Sequence, residues 1–312
     1  FNETLQNVVE LYDGPDTNIA AEKAKEADQV ILVVGYTFEN EGEYINIKGD
    51  MEGSAKAGKL VGKKGIGGDR ESLKLLPEDE ALIQAVSAVN KDVVVVYVGG
   101  SAIKMNAWEP NVASILFAWY GGMEGGTALA NVLYGTVNPS GKLPFSIARN
   151  DSDYPYFNPY TLTIDYGYYH GYTLFEKENI EVAYPFGYGL SYTTYAYSDL
   201  QIMESELNKD GILRAKVNVT NTGEVAGEEI VQLYVGFKNS SIDRPVKLLR
   251  GFDKIGLKPG ETKTVALEVN IEDLAWYDPE AKQWKIEEME YELYVGGSSA
   301  EKDLVVDSFL VN

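Results

Sequence analysis

The sequence predicts an α/β three-layer sandwich with a mostly parallel sheet, followed by an all-β sandwich. In the first half, apolar runs typical of buried strands alternate with amphipathic segments typical of helices. From about Tyr197 onward, short segments of alternating polar and apolar residues are separated by turn-forming clusters. Strands that are apolar on both sides indicate a parallel sheet covered by helices, whereas closely spaced alternating strands indicate two packed antiparallel sheets.

The elements of the first half follow one another at short intervals. Residues 18–34 predict an amphipathic helix that runs directly into a buried strand. Pro77–Val89 opens with proline and acidic residues, as a helix start should, and leads into the apolar strand within residues 92–100. A third strand is predicted over Ala113–Trp119 and a further helix over Gly126–Tyr134. This order is typical of a parallel sheet.

The predicted strands end in turn-rich, aromatic segments. These segments are residues 35–36, 99–101 and 119–122. Ligands of parallel sheets bind outside the carboxyl ends of the strands. The sequence therefore predicts a functional site along this edge of the sheet.

The chain changes character after the last predicted helix. Residues 136–195 are dense in glycine, proline and tyrosine and show little periodicity, which favours an ordered connector. Roughly seven short strands then fit an immunoglobulin-like sandwich. We predict an α/β domain over residues 1–150, a connector over residues 151–196 and a β-sandwich over residues 197–312.

Composition narrows the function classes. The net charge of −21 argues against nucleic acid and anionic membranes as partners and favours a neutral substrate. No stretch approaches the roughly 18 uninterrupted apolar residues that a membrane helix needs. The absence of cysteine excludes disulfides and thiolate sites, and the single histidine, His170, removes most metal and Ser-His chemistry. A hydrolase built from this chain must therefore use carboxylates.

Three glutamates lie just past the first predicted strand. Glu39, Glu41 and Glu43 occupy alternate positions, and a glycine- and lysine-rich stretch separates them from Asp69-Arg70. A carboxylic acid whose pKa is raised by burial or by like-charged neighbours can act as a general acid. A solvated acidic loop is the other interpretation of the same residues.

A series of motifs runs in order along essentially the whole chain. Its members are Glu41-Gly42, Gly68-Asp69-Arg70, Leu73, Leu75 and Pro77, VVVVYVGGSAI, Trp108, WYGGMEGGTALANVLYGTVNPSGKLPFS, AYPFGYGLSYT and VNVTNTGEVAGEEIVQLYV. The series resembles glycoside hydrolase family 3, and the most specific elements are NPSGKLP and FGYGLSYT. The resemblance implies that the second domain is a fibronectin-III-like sandwich.

The resemblance also implies a reaction, which is retaining, exo-acting hydrolysis of terminal β-linked glucose, and it implies no metal or organic cofactor. Glu41, the glutamate directly before a glycine, matches the acid/base of the family. The insertion from Glu43 to Gly67 departs from the family pattern, so Glu43 and Glu39 stay open as alternatives.

Further residues receive roles from the same resemblance. Asp69 and Arg70 are expected to form an orienting ion pair, for which a surface pair is the other interpretation. Tyr36, Phe38 and Tyr44 are candidates for stacking on the sugar, although each one also fits ordinary packing.

One catalytic carboxylate is expected to be elsewhere. The family's nucleophile is an aspartate on a (β/α)8 barrel, and no eight-fold strand–helix pattern occurs here. The chain is therefore expected to be a C-terminal half that lacks the first strand of its α/β domain, is inactive alone, and needs a barrel on another chain or missing segment. A β-glucoside or oligosaccharide is the expected substrate, a homodimer a further expectation, and an extracellular or periplasmic location is favoured over a cytoplasmic one.

Two other functions stay open. One is a β-xylosidase or another exo-glycosidase of the same family, because the sugar subsite lies mostly on the barrel. The other is a non-catalytic carbohydrate-binding or assembly module, which the missing nucleophile makes reasonable.

Overall fold

The computed structural model of the chain describes residues 9–37, 40, 70, 72–156 and 163–312. The chain forms two compact units: Phe1–Tyr134 with Arg149–Asp165, and Gly135–Ala148 with Tyr166–Asn312. The domain boundaries predicted at residues 150 and 196 stay predictions, because compactness alone does not show which segment folds independently. No helix within the described ranges is long and apolar enough to cross a membrane.

The first unit contains a parallel sheet with helices, as predicted. Its strands β1, β2 and β3 are hydrogen-bonded in that order, with Val30 opposite Val93 and Val94 opposite Ser114. The elements are α1 (Thr17–Glu26), β1 (Val30–Gly35), α2 (Pro77–Val89), β2 (Val93–Val98), β3 (Ser114–Phe117) and α3 (Gly125–Leu133).

The three strands differ in burial. The central strand β2 is buried along nearly its whole length, as a two-sided apolar strand should be. In β1, Leu32 and Val34 are buried whereas Val33, which points to the opposite face, is exposed. Burial on both faces was therefore predicted correctly for β2 and wrongly for β1, because no described element covers Val33 on its face of β1.

Side-chain caps fix the ends of the first helices. Asp16 precedes α1, and its carboxylate accepts the backbone N–H of Asn18 at 2.8 Å. At the other end, the Asn90 side chain donates to the carbonyl oxygens of Ala24 and Ala27, both at 2.8 Å. These bonds tie the C-terminal end of α2 to that of α1 and satisfy carbonyls that a helix end leaves open.

The second unit contains two largely antiparallel sheets. One has the order β10-β9-β14-β15-β7, in which only β7 pairs in parallel, and the other has the order β11-β8-β6. The strands are β6 (Tyr195–Ile202), β7 (Glu206–Leu207), β8 (Ile212–Asn221), β9 (Gly227–Gly236), β10 (Lys247–Leu257), β11 (Thr262–Asn270), β14 (Glu290–Gly296) and β15 (Leu304–Val311). This architecture confirms the predicted β-sandwich.

Smaller elements complete the second unit. They are β4 (Ile147–Ala148) paired with β5 (Val182–Tyr184), α4 (Gly171–Lys177), and the hairpin β12 (Trp276–Asp278) with β13 (Gln283–Lys285). Residues 135–148 and 166–196, most of the glycine- and tyrosine-rich stretch, belong to this unit.

Strands β8 and β9 show how the sandwich core is built. Along β8 every second side chain is buried, which is the period of a strand with one covered face. Strand β9 is buried on both faces from Val231 to Gly236. Its outer face carries Gln232, whose amide donates to the carbonyl oxygens of Gly187 and Gly297 at 3.2 and 2.6 Å. The FGYGLSYT segment therefore covers the outside of the sandwich.

Candidate active site

The end of β1 requires a glycine. Gly35 has φ +141°, and a side-chain carbon there would lie 1.9 Å from the carbonyl oxygen of Val98. The following residue, Tyr36, is buried, and its N–H donates to the same Val98 carbonyl at 2.9 Å. The absence of a side chain at Gly35 therefore lets β1 and β2 stay close at the predicted edge.

Arg70 joins the ends of two strands. Its guanidinium carbon lies 4.3 Å above the centre of the Tyr36 ring, and its Nη2 donates to the Ser101 hydroxyl and, at 3.4 Å, to the Ala102 carbonyl. The flat face of the guanidinium thus contacts an aromatic ring while its rim makes hydrogen bonds. We call the contacts of Tyr36, Arg70 and Ser101 the arginine clamp.

Aromatic rings extend from the clamp across the sheet. Tyr36 packs edge-on against Tyr97 at 6.2 Å, Tyr97 against Phe117 at 5.0 Å, and Phe117 against Trp119 at 5.9 Å between ring centres. Trp119 has φ +52°, an uncommon conformation for a bulky residue, and Tyr120 beside it is exposed. The row of rings connects all three strand ends and leaves aromatic surface open at the third.

A carboxylate that the sequence did not single out also lies at this edge. Asp79, in the first turn of α2, accepts the backbone N–H of Gly35 at 3.1 Å. Burial is the main reason why the pKa of Asp79 is raised; the Gly35 hydrogen bond acts against the shift and the charge of Glu78 adds to it. The acidic start of α2 was the only sequence signal, and it indicated a helix end and no contact with β1.

The predicted site residues divide into two groups. Tyr36 and Arg70 come together in the clamp. The buried ring of Tyr36 lies between Arg70 and Tyr97, which favours packing, and its stacking on a sugar stays a prediction. The other candidates lie outside the described residues: Glu39, Glu41, Glu43, Phe38, Tyr44 and Asp69. Within the described ranges, no group of three or more His, Cys, Asp or Glu side chains could hold a metal ion.

The motif segments of the second unit meet at a buried ion pair. Lys142, from NPSGKLP, places its Nζ 3.1 Å from a carboxylate oxygen of Glu229, and their side chains are 13% and 5% exposed. Tyr197 donates its hydroxyl to Glu229 at 2.8 Å. Burial, followed by the charge of Glu229, raises the pKa of Tyr197 strongly. These side chains line an open cavity of about 520 Å³.

Comparison with known proteins places both units. Residues 3–192 match the glycosyl hydrolase family 3 C-terminal domain, and residues 229–299 match a fibronectin type III-like domain. The chain belongs to glycoside hydrolase family 3. The predicted resemblance is therefore confirmed, and so is the α/β region followed by a fibronectin-III-like one.

Curated relatives of family 3 cover nearly all of the chain. It is 39% identical to "Probable beta-glucosidase K" of Emericella nidulans, over 90% of this chain and 30% of the relative. It is 38% identical to "Thermostable beta-glucosidase B" of Acetivibrio thermocellus, over 91% of this chain and 40% of the relative. A "Beta-xylosidase" of Formosa agariphila is 36% identical over 94% of this chain. The chain thus spans less than half the length of these relatives.

Solved structures show the same relation. The β-D-glucoside glucohydrolase of Trichoderma reesei matches 97% of this chain and 43% of its own, with a TM-score of 0.80 and 29% identity. The β-glucosidase D2-BGL of Chaetomella raphigera matches 95% of this chain and 41% of its own, with a TM-score of 0.80 and 34% identity. Family 3 β-glucosidases therefore share the fold of this chain over nearly its full length.

Proposed function

We propose that this chain is part of a retaining, exo-acting β-glucosidase and supplies its acid/base glutamate, Glu41. Relatives named β-glucosidases that are 37–39% identical to it support the activity. The observation that carries the acid/base assignment is the arginine clamp. Because Arg70 rests on Tyr36, the segment between them begins and ends at the carboxyl edge of the sheet. That segment contains Glu41 and its alternatives, Glu39 and Glu43.

The mechanism needs a second carboxylate. In retaining hydrolysis, a nucleophile about 5–5.5 Å from the acid forms a glycosyl-enzyme intermediate. Glu41 would protonate the departing glycosidic oxygen and then take a proton from the water that attacks the intermediate. The proposed nucleophile is an aspartate on a (β/α)8 barrel, which these 312 residues do not contain. By themselves they should therefore show no hydrolysis.

A β-xylosidase is the second candidate. The observation that favours it is the relative named "Beta-xylosidase", which is 36% identical to this chain in an alignment that covers 94% of it. The sugar subsite of the proposed enzyme lies mostly on the barrel, so this chain does not choose between the two sugars. Rates of the complete enzyme on 4-nitrophenyl β-glucoside and β-xyloside decide between them, and faster turnover of the xyloside would replace glucose in the proposal.

The acid/base assignment is tested in the complete enzyme, made by producing this chain together with the cognate barrel. Glu41→Ala should lower kcat on 4-nitrophenyl β-glucoside by about 10²–10⁴-fold. The leaving group of a 2,4-dinitrophenyl glucoside departs without protonation, so the variant should still form the glycosyl-enzyme intermediate from this substrate at a rate close to that of the parent. Azide should then replace the base-activated water and yield β-glucosyl azide.

Glu39→Ala and Glu43→Ala are the matched controls, because they remove carboxylates from the same acidic segment. Both should keep most of the activity. Full activity of Glu41→Ala, with a large loss and azide rescue in one of the controls, would transfer the acid/base role to that glutamate. The expected homodimer is a separate proposal, which light scattering of the purified chain checks.

A further inference from the structure

Two aromatic side chains are exposed side by side on the β12–β13 hairpin. Tyr277 and Trp284 are directly opposite each other in the register, and their ring centres lie 5.5 Å apart. Tyr277 is 48% exposed and Trp284 is 70% exposed. Tryptophan is large enough that leaving most of it in water forgoes substantial burial, and such surfaces are commonly binding sites.

The hairpin does not depend on burial of these rings. On its other face, Lys285 pairs with Asp278. Asp278 also accepts the backbone N–H groups of Glu280 and Ala281 at 2.9 and 3.0 Å, which closes the turn. The cross-strand ring contact adds some stability, but it leaves most of the Trp284 surface uncovered. The rings are thus held in place before anything binds.

The surroundings of the two rings match the chemistry of a carbohydrate. One side of a pyranose ring presents C–H groups that pack on an aromatic face, while its hydroxyls point outward to polar groups. Exposed Glu280 and Lys282 lie at the tip of the same hairpin and can donate or accept such hydrogen bonds. A chain with a net charge of −21 repels anionic polymers but has no charge penalty against a neutral glycan.

We propose that Tyr277 and Trp284 form a glycan-binding surface on the β-sandwich unit, whose ligand is a neutral β-glucan chain. The choice of β-glucan rests on the proposed function, whereas the presence of a carbohydrate surface rests on the hairpin alone. Such a surface would hold the enzyme on a polymer whose chain ends it hydrolyses.

The test is affinity electrophoresis of the 312-residue chain in native gels with and without dissolved barley β-glucan. The polymer should retard the parent chain, and Trp284→Ala should weaken this interaction by about tenfold, as expected for the loss of a tryptophan anchor. Tyr277→Ala should cause a smaller loss. Trp284→Phe keeps a ring and strand propensity, so it should retain part of the retardation, which guards against a misfolded hairpin.

Phe252→Ala is the matched control, because Phe252 is a 67% exposed aromatic residue of β10 outside the hairpin. It should migrate like the parent chain. Absence of retardation for the parent, or equal retardation of the parent and Trp284→Ala, overturns the proposal. A parent dimer that Trp284→Ala converts to a monomer also overturns it, by assigning the rings to an interface between copies. No step requires hydrolysis, so the outcome is separate from that of the Glu41 experiment.

Discussion

The arginine clamp and the Lys142–Glu229 pair hold their segments in opposite ways. At the clamp, a half-buried arginine packs on the Tyr36 ring and donates to the Ser101 hydroxyl and the Ala102 carbonyl at the rim of a sheet. In the second unit, a buried lysine and glutamate pair with each other, with a tyrosine added, along the wall of a cavity. The first arrangement joins two strand ends at an open edge. The second holds the NPSGKLP segment against β9 through side chains with little contact with water, where removing one partner is costly.

The second unit repeats its arrangement. Lys247, only 3% exposed, pairs with Glu176 of α4 at 2.6 Å, and Arg244 pairs with Glu287 at 3.4 Å. All these acids and bases have little contact with water, so each would destabilise the fold if its partner were lost. In the first unit, the charged side chain of the clamp orients its neighbours at the edge of the sheet. In the second unit, the buried ion pairs stabilise the fold. Mutations should therefore affect activity in the first and stability in the second.

The largest stability effect is expected for Glu229→Ala. It would leave Lys142 buried without its carboxylate, at a cost of about 3–5 kcal/mol in the free energy of unfolding. Urea unfolding of the chain measures this. The control is Glu228→Ala, the neighbouring exposed residue, which pairs with Lys254 at 2.7 Å. Its loss should cost about 0.2–1 kcal/mol, and similar costs for both variants would remove the contrast between the units.

A smaller effect, and one on activity, is expected for Arg70→Lys. Lysine cannot keep the flat contact with Tyr36 and the hydrogen bonds to Ser101 and Ala102 together, so residue 70 would be held less firmly at the edge of the sheet. The proposed role of Glu41, which precedes Arg70 in the chain, then predicts a loss of activity. In the complete enzyme, kcat on 4-nitrophenyl β-glucoside should fall by about tenfold. KM and Tm should change little.

Ser101→Ala removes a single hydrogen bond of the clamp and should lower kcat less than Arg70→Lys does. If Arg70→Lys instead lowers Tm and leaves kcat per folded molecule unchanged, the clamp is structural. The two units would then use their charges in the same way.

The smallest effect is expected from Glu287→Gln and depends on pH. Burial would raise the pKa of Glu287, but hydrogen bonds from Ser240, Ser241 and Arg244 outweigh it and hold the pKa below its ordinary value of 4.5. A carboxylate whose pKa is lower in the folded state than in the unfolded state stabilises the fold, and this contribution is complete at a pH above the unfolded-state pKa. The contribution is lost as the pH falls through the lower, folded-state pKa. The free energy of unfolding of the parent should therefore be about 1 kcal/mol larger than that of the variant at neutral pH.

Unfolding curves measured from neutral to acidic pH check this expectation. The difference between parent and Glu287→Gln should shrink as the pH falls below 4.5. Glu288→Gln is the control, because Glu288 is exposed and its pair with Lys209 is screened by water. A difference that stays constant down to low pH would show that the carboxylate charge of Glu287 is not the source.

The sequence was sufficient to predict helices and strands whose signals come from residues close together in the chain. The apolar run of β2 and the proline at the start of α2 predicted those elements because each signal lies inside the element itself. The family motifs named Arg70 without showing what it touches. Its contact with Ser101 joins residues 31 positions apart, which requires the completed sheet.

Long-range pairing also explains what the sequence did not reveal in the second unit. Lys142 and Glu229 are 87 positions apart, and they lie in two different motifs of the series. The burial of Gln232 on the outer face of β9 depends on the carbonyl of Gly187, which no alternation of polar and apolar residues predicts. Where another segment covers the outer face of a strand, contacts with that segment determine which side chains are buried, and the alternation of polar and apolar residues along the strand does not.

Gly35 has a consequence for how this protein can vary. A side-chain carbon there would overlap the carbonyl of Val98, and its φ of +141° is open to glycine and hardly to other residues. Gly35 also donates its N–H to Asp79. In a random library, substitutions of Gly35 should therefore be lost because they destabilise the pairing of β1 with β2, before any effect on catalysis can be measured. Variation at this edge is open to the residues that follow the strand and closed at Gly35 itself.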